Sequence, residues 1–275
     1  MGGYLKALLI AVLFWALLGV FMVLAGFIQL RSLSAPLHDA AEAAAQQPIN
    51  FALVPAAACV VLFVIAFPRR RSDAGLLEAV HVRPLMGGIV AICFLGGACL
   101  QIPMAELGNL TQEIWPVSFD ELARRHRFIN PSTWWGGFSA MAALVLVAPV
   151  TEELLFRGWL LQDLKEQYGT KPALIWSSVL FGLVHGVAAM PYATLGGLVL
   201  GAVALRTKST LGSIGMHAGV NALPLLLPVS LVRIEGFNNL SEDTEHISWW
   251  IILLALFGVL GSLKLLWRAT EEPDA

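Results

Sequence analysis

Long apolar runs dominate the chain and predict a bundle of transmembrane helices. A run of about 18 apolar residues can cross roughly 30 Å of hydrocarbon as a helix. The runs lie at 5–30, 51–67, 84–104, 134–164, 172–190, 191–206, 209–230 and 248–267. We therefore predict an all-α fold, a polytopic transmembrane helical bundle of about eight spans.

Composition supports this prediction. Of 275 residues, 57% are hydrophobic and 13% are charged, whereas soluble domains carry about 25% charged residues. The cysteines Cys59, Cys93 and Cys99 lie in apolar runs without a CxxC pair, so we interpret them as core residues. The net charge of −2 gives no reason to expect a nucleic-acid partner. The lipid bilayer is the expected partner of the apolar surface.

The distribution of lysine and arginine predicts the orientation. The first apolar run far exceeds a signal-peptide core, so we expect an uncleaved first span. With eight spans, basic residues are more numerous on the side that holds both termini, including the run 69–71. Cytoplasmic segments carry this excess, so we predict that both termini are cytoplasmic.

The segments between the spans predict the organisation of the chain. Residues 35–50 and 235–246 are expected to be external loops, and Ser118 with Glu121 forms a capping-box pattern that opens an interfacial amphipathic helix. We divide the chain into three regions. These are an N-terminal transmembrane region of three spans plus the amphipathic segment (1–133), a core (134–230), and an external loop, last span and cytoplasmic tail (231–275).

Charged residues inside one span are the first sign of chemistry. The stretch "PVTEELLFRG", residues 149–158, contains two adjacent glutamates and an arginine, although a charge at the bilayer centre costs about 2.5–3.5 kcal/mol on insertion scales. Glu153 and Arg157 are four residues apart and can form an ion pair on one helix face. Glu152 points about 100° away, and Pro149 is expected to bend the helix one turn earlier.

Two further spans carry polar residues at a similar depth. His185 follows Phe181 in "FGLVHG", and His217 precedes Asn221 in "MHAGVN". Measured from the midpoints of their spans, Glu152, His185 and His217 lie within about 6 Å of one level. The residues thus predict one shared site within the bundle. Structural hydrogen bonding, catalysis and proton-coupled transport all use such residues.

These motifs resemble those of a known family. "EELLFRG" matches an EExxxR motif, "FGLVH" an FxxxH motif and "HAGVN" an HxxxN motif, in the order found in the CPBP family. That family contains the type II CAAX prenyl endopeptidases and bacterial relatives often described as Abi proteins. The resemblance covers about residues 134–230.

The resemblance implies an intramembrane endopeptidase in a bacterial inner (plasma) membrane. It implies that Glu152 is the general base that activates water, assisted by His185. His217 and Asn221 would then stabilise the oxyanion, and Glu153 and Arg157 would support the site. The implied substrate is a membrane protein or peptide, and a prenylated CAAX peptide is one candidate class.

Metal dependence and two other functions stay open at this stage. Glu152, His185 and His217 together can form a zinc site, but the set is complete without metal and the compact HExxH signature is absent. We favour a mechanism without a cofactor. A membrane chaperone or regulator of the same fold is one alternative function. A proton-coupled transporter is another, although the chain shows no related halves.

Overall fold

The computed structural model describes residues 3–45, 49–66 and 75–271. Over these residues the protein is helical and contains no β-strand, which confirms the predicted all-α fold. The helices are α1 (Gly3–Leu30), α2 (Leu37–Ala45), α3 (Asn50–Ala66), α4 (Leu76–Ala79), α5 (Gly87–Ile114), α6 (Phe119–Ile129), α7 (Trp134–Tyr168), α8 (Thr170–Val184), α9 (Met190–Thr207), α10 (Thr210–Leu226) and α11 (Trp249–Ala269).

Each predicted span corresponds to one helix, but the helices differ in length. Among the described residues, four helices are by length and composition able to cross a membrane: Leu9–Leu30, Gly87–Ile114, Trp134–Tyr168 and Trp249–Ala269. Apolar stretches of α3 and α8 are shorter, at Leu53–Ile65 and Thr170–Val184. Hydropathy therefore located the helices well. The predicted count of eight spans is higher than the four described helices that are long and apolar enough to cross a membrane.

Helix extends beyond the predicted spans in two places. Residues 37–45 form α2, whose Ala40 and Ala44 are fully buried, because alanine side chains are small enough for close packing between helices. The third predicted span, 84–104, continues as α5 to Ile114, so Glu106 lies within a helix. Its carboxylate accepts hydrogen bonds from the backbone N–H of Ile247 (2.8 Å) and from Asn109 (3.1 Å).

The amphipathic helix after Ser118 is present as α6. The Ser118 hydroxyl accepts a hydrogen bond from the backbone N–H of Glu121, as an N-cap should. The basic run 69–71, residues 46–48 of the expected Ala-rich loop and the end of the tail, 272–275, lie outside the described residues.

Close packing of α5 against α10 forms the centre of the bundle. A Cβ atom at Gly97 would collide with the backbone carbonyl of Met216, so only glycine lets the two helices approach this closely. α8 and α9 form an adjacent hairpin, and α1 packs against α8. These contacts bring the middle of α7, the end of α8 and the middle of α10 together.

Candidate active site

Glu152 and Glu153 lie in the middle of α7, where the hydrogen-bonding pattern of the helix changes twice between π and α. π-helical turns at Ala142–Val147 and Leu154–Leu160 flank an α-helical segment, Ala148–Glu153. Such turns are rare and are frequent at functional sites. Pro149 lies at the start of the central segment, where it lacks the N–H that would continue the helical ladder.

Glu153 is the centre of a buried charged network. Its Oε1 atom accepts hydrogen bonds from Arg157 Nη1 at 3.1 Å and from His217 Nδ1 at 3.0 Å. The side chains of Glu153 and Arg157 are completely buried. Arg157 also donates from Nη2 to the carbonyl of Gly197 at 3.1 Å, which ties α7 to α9. Because a buried ion needs a partner and hydrogen bonds, this network explains how the membrane helix holds these charges.

Glu152 faces the two histidines. Its Oε2 atom is 3.7 Å from His185 Nε2 and 3.9 Å from His217 Nε2. Within the described part of the chain, this buried oxygen has no hydrogen-bond partner. Both distances exceed a direct hydrogen bond, and catalytic pairs are often this far apart before substrate binds.

The sequence predicts His185 inside a span, but the structure places it just after the end of α8. It is the C-cap residue of that helix, and Gly186 follows with φ of +90°, a conformation that favours glycine. The Nδ1 atom of His185 donates to the carbonyl of Phe181 at 2.6 Å, so Nε2 is left facing Glu152. Trp15 of α1 donates to the carbonyl of Leu183 at 3.3 Å and thereby supports the same turn.

Asn221 follows His217 by one turn of α10 and bonds to the helix that carries the glutamates. Its Nδ2 atom donates to the carbonyl of Leu144 at 2.9 Å. An amide nitrogen carries two hydrogens, so one N–H of Asn221 stays available beside this bond.

Phe181 lies beside the candidate site, and the sequence reasoning gave it no role. Its ring lies 4.2 Å from the Arg157 guanidinium carbon, and its centroid is 4.5 Å from the His185 ring and 5.9 Å from the His217 ring. The FxxxH spacing was a usable signal, because residues four apart on a helix share a face. Phe181 thus packs between the cation and both imidazoles.

A cavity of about 460 Å³ extends to Phe181, His185 and His217. His185, His217 and Asn221 form part of its wall, and residues 239–245 of the α10–α11 connection line it as well. Its wall contains both apolar side chains, such as Met104 and Leu200, and polar ones, such as Gln101 and Asn109. Mixed walls of this kind are typical of sites that bind organic molecules or peptides.

The residues that the sequence offers for zinc are Glu152, His185 and His217. Across the described ranges, no group of three or more His, Cys, Asp or Glu side chains is positioned to hold a metal ion. The Oε2 atom of Glu152 lies 3.7 and 3.9 Å from the two imidazole nitrogens, compared with about 3.3–3.6 Å between the ligand atoms of a tetrahedral zinc site.

Comparison with known proteins finds a matching family for the segment that carries the site. No curated protein and no solved structure matches the chain. A family model does match part of the chain. It describes a family of proteases, and the match together with the long apolar helices indicates an integral membrane protein. Residues 133–223, which contain all the motif residues, match the model of the Rce1-like type II CAAX prenyl endopeptidases and thus confirm the resemblance indicated by the motifs.

Proposed function

We propose that the protein is an intramembrane endopeptidase in which Glu152 activates water. One observation carries the proposal most directly: the buried Oε2 of Glu152, which has no hydrogen-bond partner among the described residues, faces the Nε2 atoms of His185 and His217 at 3.7 and 3.9 Å. A carboxylate and two imidazoles at such distances are suited to general acid–base catalysis.

The first step is attack of water on the scissile carbonyl. Glu152 takes a proton from water, and His185 orients that water through Nε2, because its Nδ1 is held by the Phe181 carbonyl. A bond forms between the water oxygen and the carbonyl carbon. Glu152 then gives its proton to the leaving nitrogen as the C–N bond breaks, which leaves a carboxylic acid and a free amine as products.

The oxyanion of the tetrahedral intermediate accepts hydrogen bonds from His217 and from the second N–H of Asn221. Since the Nδ1 of His217 already bonds to Glu153, a donor at Nε2 requires the imidazolium form. In that form the positive charges of Arg157 and His217 balance the negative charges of Glu153 and Glu152. Balanced charge lowers the cost of keeping this network in a poorly solvated site.

We further propose that the substrate is a membrane protein or a membrane-associated peptide, with prenylated CAAX peptides as one candidate class. The cavity supports this, because it combines apolar walls with polar groups near the catalytic residues. We propose a bacterial inner membrane as the location, with both termini cytoplasmic.

The test is cleavage of a peptide library by purified protein. The library includes a farnesylated CAAX peptide, and the variants are Glu152→Gln and His185→Ala. We expect the wild type to cleave and both variants to lose about 10²-fold or more of the rate. Glu166→Gln, an exposed glutamate near the end of the same helix, is the matched control and should keep the rate.

Three results would oppose the proposal. Full activity of Glu152→Gln would overturn the assignment of the base. If the wild type cleaves no peptide and both variants still complement the phenotype of a strain that lacks the gene, the chaperone or regulator would be favoured. Proton-coupled uptake of a solute into proteoliposomes, abolished in both variants, would favour the transporter.

A further inference from the structure

The side chain of Gln101 is a polar group in the cavity wall that the mechanism above does not use. It lies on α5, which is outside the segment that matches the protease family. It lines the same cavity as His217 and Asn221, and its neighbours in that wall include the apolar Met104 and Val220. Gln101 therefore contributes an amide to the same cavity wall as His217 and Asn221.

Gln101 differs from the other amide, hydroxyl and carboxyl side chains of α5. Those side chains all have partners within the protein: Glu106 with His246, Asn109 with the Gly236 carbonyl, Thr111 with the Leu107 carbonyl, Gln112 with the backbone of Val117, and Glu113 with His246. Among the residues the structure describes, none forms a hydrogen bond with the Gln101 side chain.

The Gln101 side chain is only partly buried and lines the cavity. Its amide is therefore within reach of water there, and a chain that enters the cavity can replace that water as the hydrogen-bond partner. A substrate would thus give this amide the partner that the protein itself does not supply.

The register of α5 against α10 gives the offset, along the helix axis, between Gln101 and the level of His217. Gly97 packs against the backbone of Met216, the residue before His217. Gln101 is one turn further along α5, which is about 6 Å. An extended peptide advances about 3.3 Å per residue. A substrate whose scissile carbonyl lies beside His217 thus reaches Gln101 with a peptide group about two residues away.

We propose that Gln101 binds the main chain of the substrate at a peptide group about two residues from the scissile bond. A primary amide carries one acceptor and two donors, so it complements the C=O and N–H of an extended chain. This contact fixes the register of the substrate and is independent of its side chains. The inference rests on the proposed endopeptidase function.

The first test is kinetic and uses the best peptide from the library assay. Gln101→Met keeps the side-chain length and removes both hydrogen-bonding groups. We expect KM to rise roughly tenfold, as for the loss of one or two neutral hydrogen bonds, with kcat within about twofold of wild type. The thermal midpoint in detergent should not fall, because no hydrogen bond within the protein is lost.

Thr111→Val is the control on the same helix. Thr111 donates to the Leu107 carbonyl at 2.7 Å and is not one of the residues that line the cavity. This variant should lower the thermal midpoint slightly and leave KM unchanged. An unchanged KM in Gln101→Met, or a fall in its thermal midpoint like that of Thr111→Val, would overturn the inference.

The second test identifies the peptide group. A series of substrates replaces one backbone N–H at a time by an ester oxygen near the scissile bond. One ester position should lower kcat/KM of the wild type by roughly tenfold and have no effect on Gln101→Met. Equal losses in both proteins at every position would refute the inference. A wild type that cleaves no peptide would instead refute the proposed function, and this would be known before any Gln101 variant is made.

Discussion

The amide of Asn221 replaces a backbone donor that Pro149 cannot supply to Leu144. In the π-helical turn of α7 the N–H of Ala148 bonds to the carbonyl of Ala143. The next bond in that register would join residue 149 to Leu144, but proline has no N–H. Asn221 Nδ2 donates to the Leu144 carbonyl instead, at 2.9 Å. The helix that carries the glutamates is thereby joined to the helix that carries His217.

This relationship predicts that Asn221 and Pro149 are energetically coupled. Asn221→Ala should lower the free energy of unfolding by about 1–2 kcal/mol, because a partly buried carbonyl loses its donor. Pro149→Ala supplies a new N–H for Leu144. The loss in the double variant should therefore be smaller than the sum of the single losses by about 1 kcal/mol.

Unfolding of the four proteins in detergent measures this coupling. Asn221→Ala combined with Pro103→Ala is the control, because Pro103 lies in α5 and should give additive losses. Additive losses for Asn221 with Pro149 would show that Asn221 does not compensate for the proline.

The buried pair of Glu153 and Arg157 yields a second prediction. Glu153→Ala leaves the Arg157 guanidinium without its carboxylate, which should cost about 3–5 kcal/mol of stability. Glu153→Met combined with Arg157→Met removes both charges and should recover most of that loss. Cleavage should nevertheless stay about 10²-fold or more below wild type, since His217 has lost the carboxylate that holds its Nδ1.

Thermal unfolding and peptide cleavage, measured on the same samples, separate these two effects. Glu121→Gln breaks a partly exposed ion pair with Arg125 and should cost less than about 1 kcal/mol. Recovery of activity together with stability in the double methionine variant would show that Glu153 serves folding alone.

Sequence could predict the helices and the polar set of this protein better than its local geometry. The cost of charge in lipid singled out Glu152, His185 and His217, because hydropathy and helical rise are local properties of the chain. The register changes in α7 and the turn after α8 depend on packing against other helices. Periodicity therefore could not reveal that His185 follows the helix end or that Asn221 bonds to Leu144.

Chelation tests the choice between metal-free and zinc-dependent catalysis. We predict that exhaustive treatment with chelators leaves the cleavage rate unchanged within about twofold, because water activation by Glu152 needs no metal. A known zinc protease in the same detergent is the control and should lose activity. Loss of cleavage that zinc restores would contradict the prediction and would favour a site formed by Glu152, His185 and His217.

His246 predicts how stability depends on pH. It joins the connection between α10 and α11 to α5, with Nδ1 2.7 Å from Glu106 and Nε2 3.2 Å from Glu113. Hydrogen bonds to these two carboxylates raise the pKa of His246 above its ordinary value of 6.5. The attachment is therefore complete below the unfolded-state pKa and is lost as pH rises through the higher folded-state pKa.

Between about pH 6 and pH 9, where the carboxylates stay ionised, the thermal midpoint of the wild type should fall relative to that of His246→Gln. Glutamine can keep a hydrogen bond to a carboxylate but does not titrate. Because His246 is 40% exposed, solvent weakens its ion pairs, and the relative fall should be on the order of 1–3 °C. His38→Gln, which changes an exposed histidine on α2, should leave the pH profile as in wild type. Parallel profiles for wild type and His246→Gln would show that His246 is not what makes the attachment depend on pH.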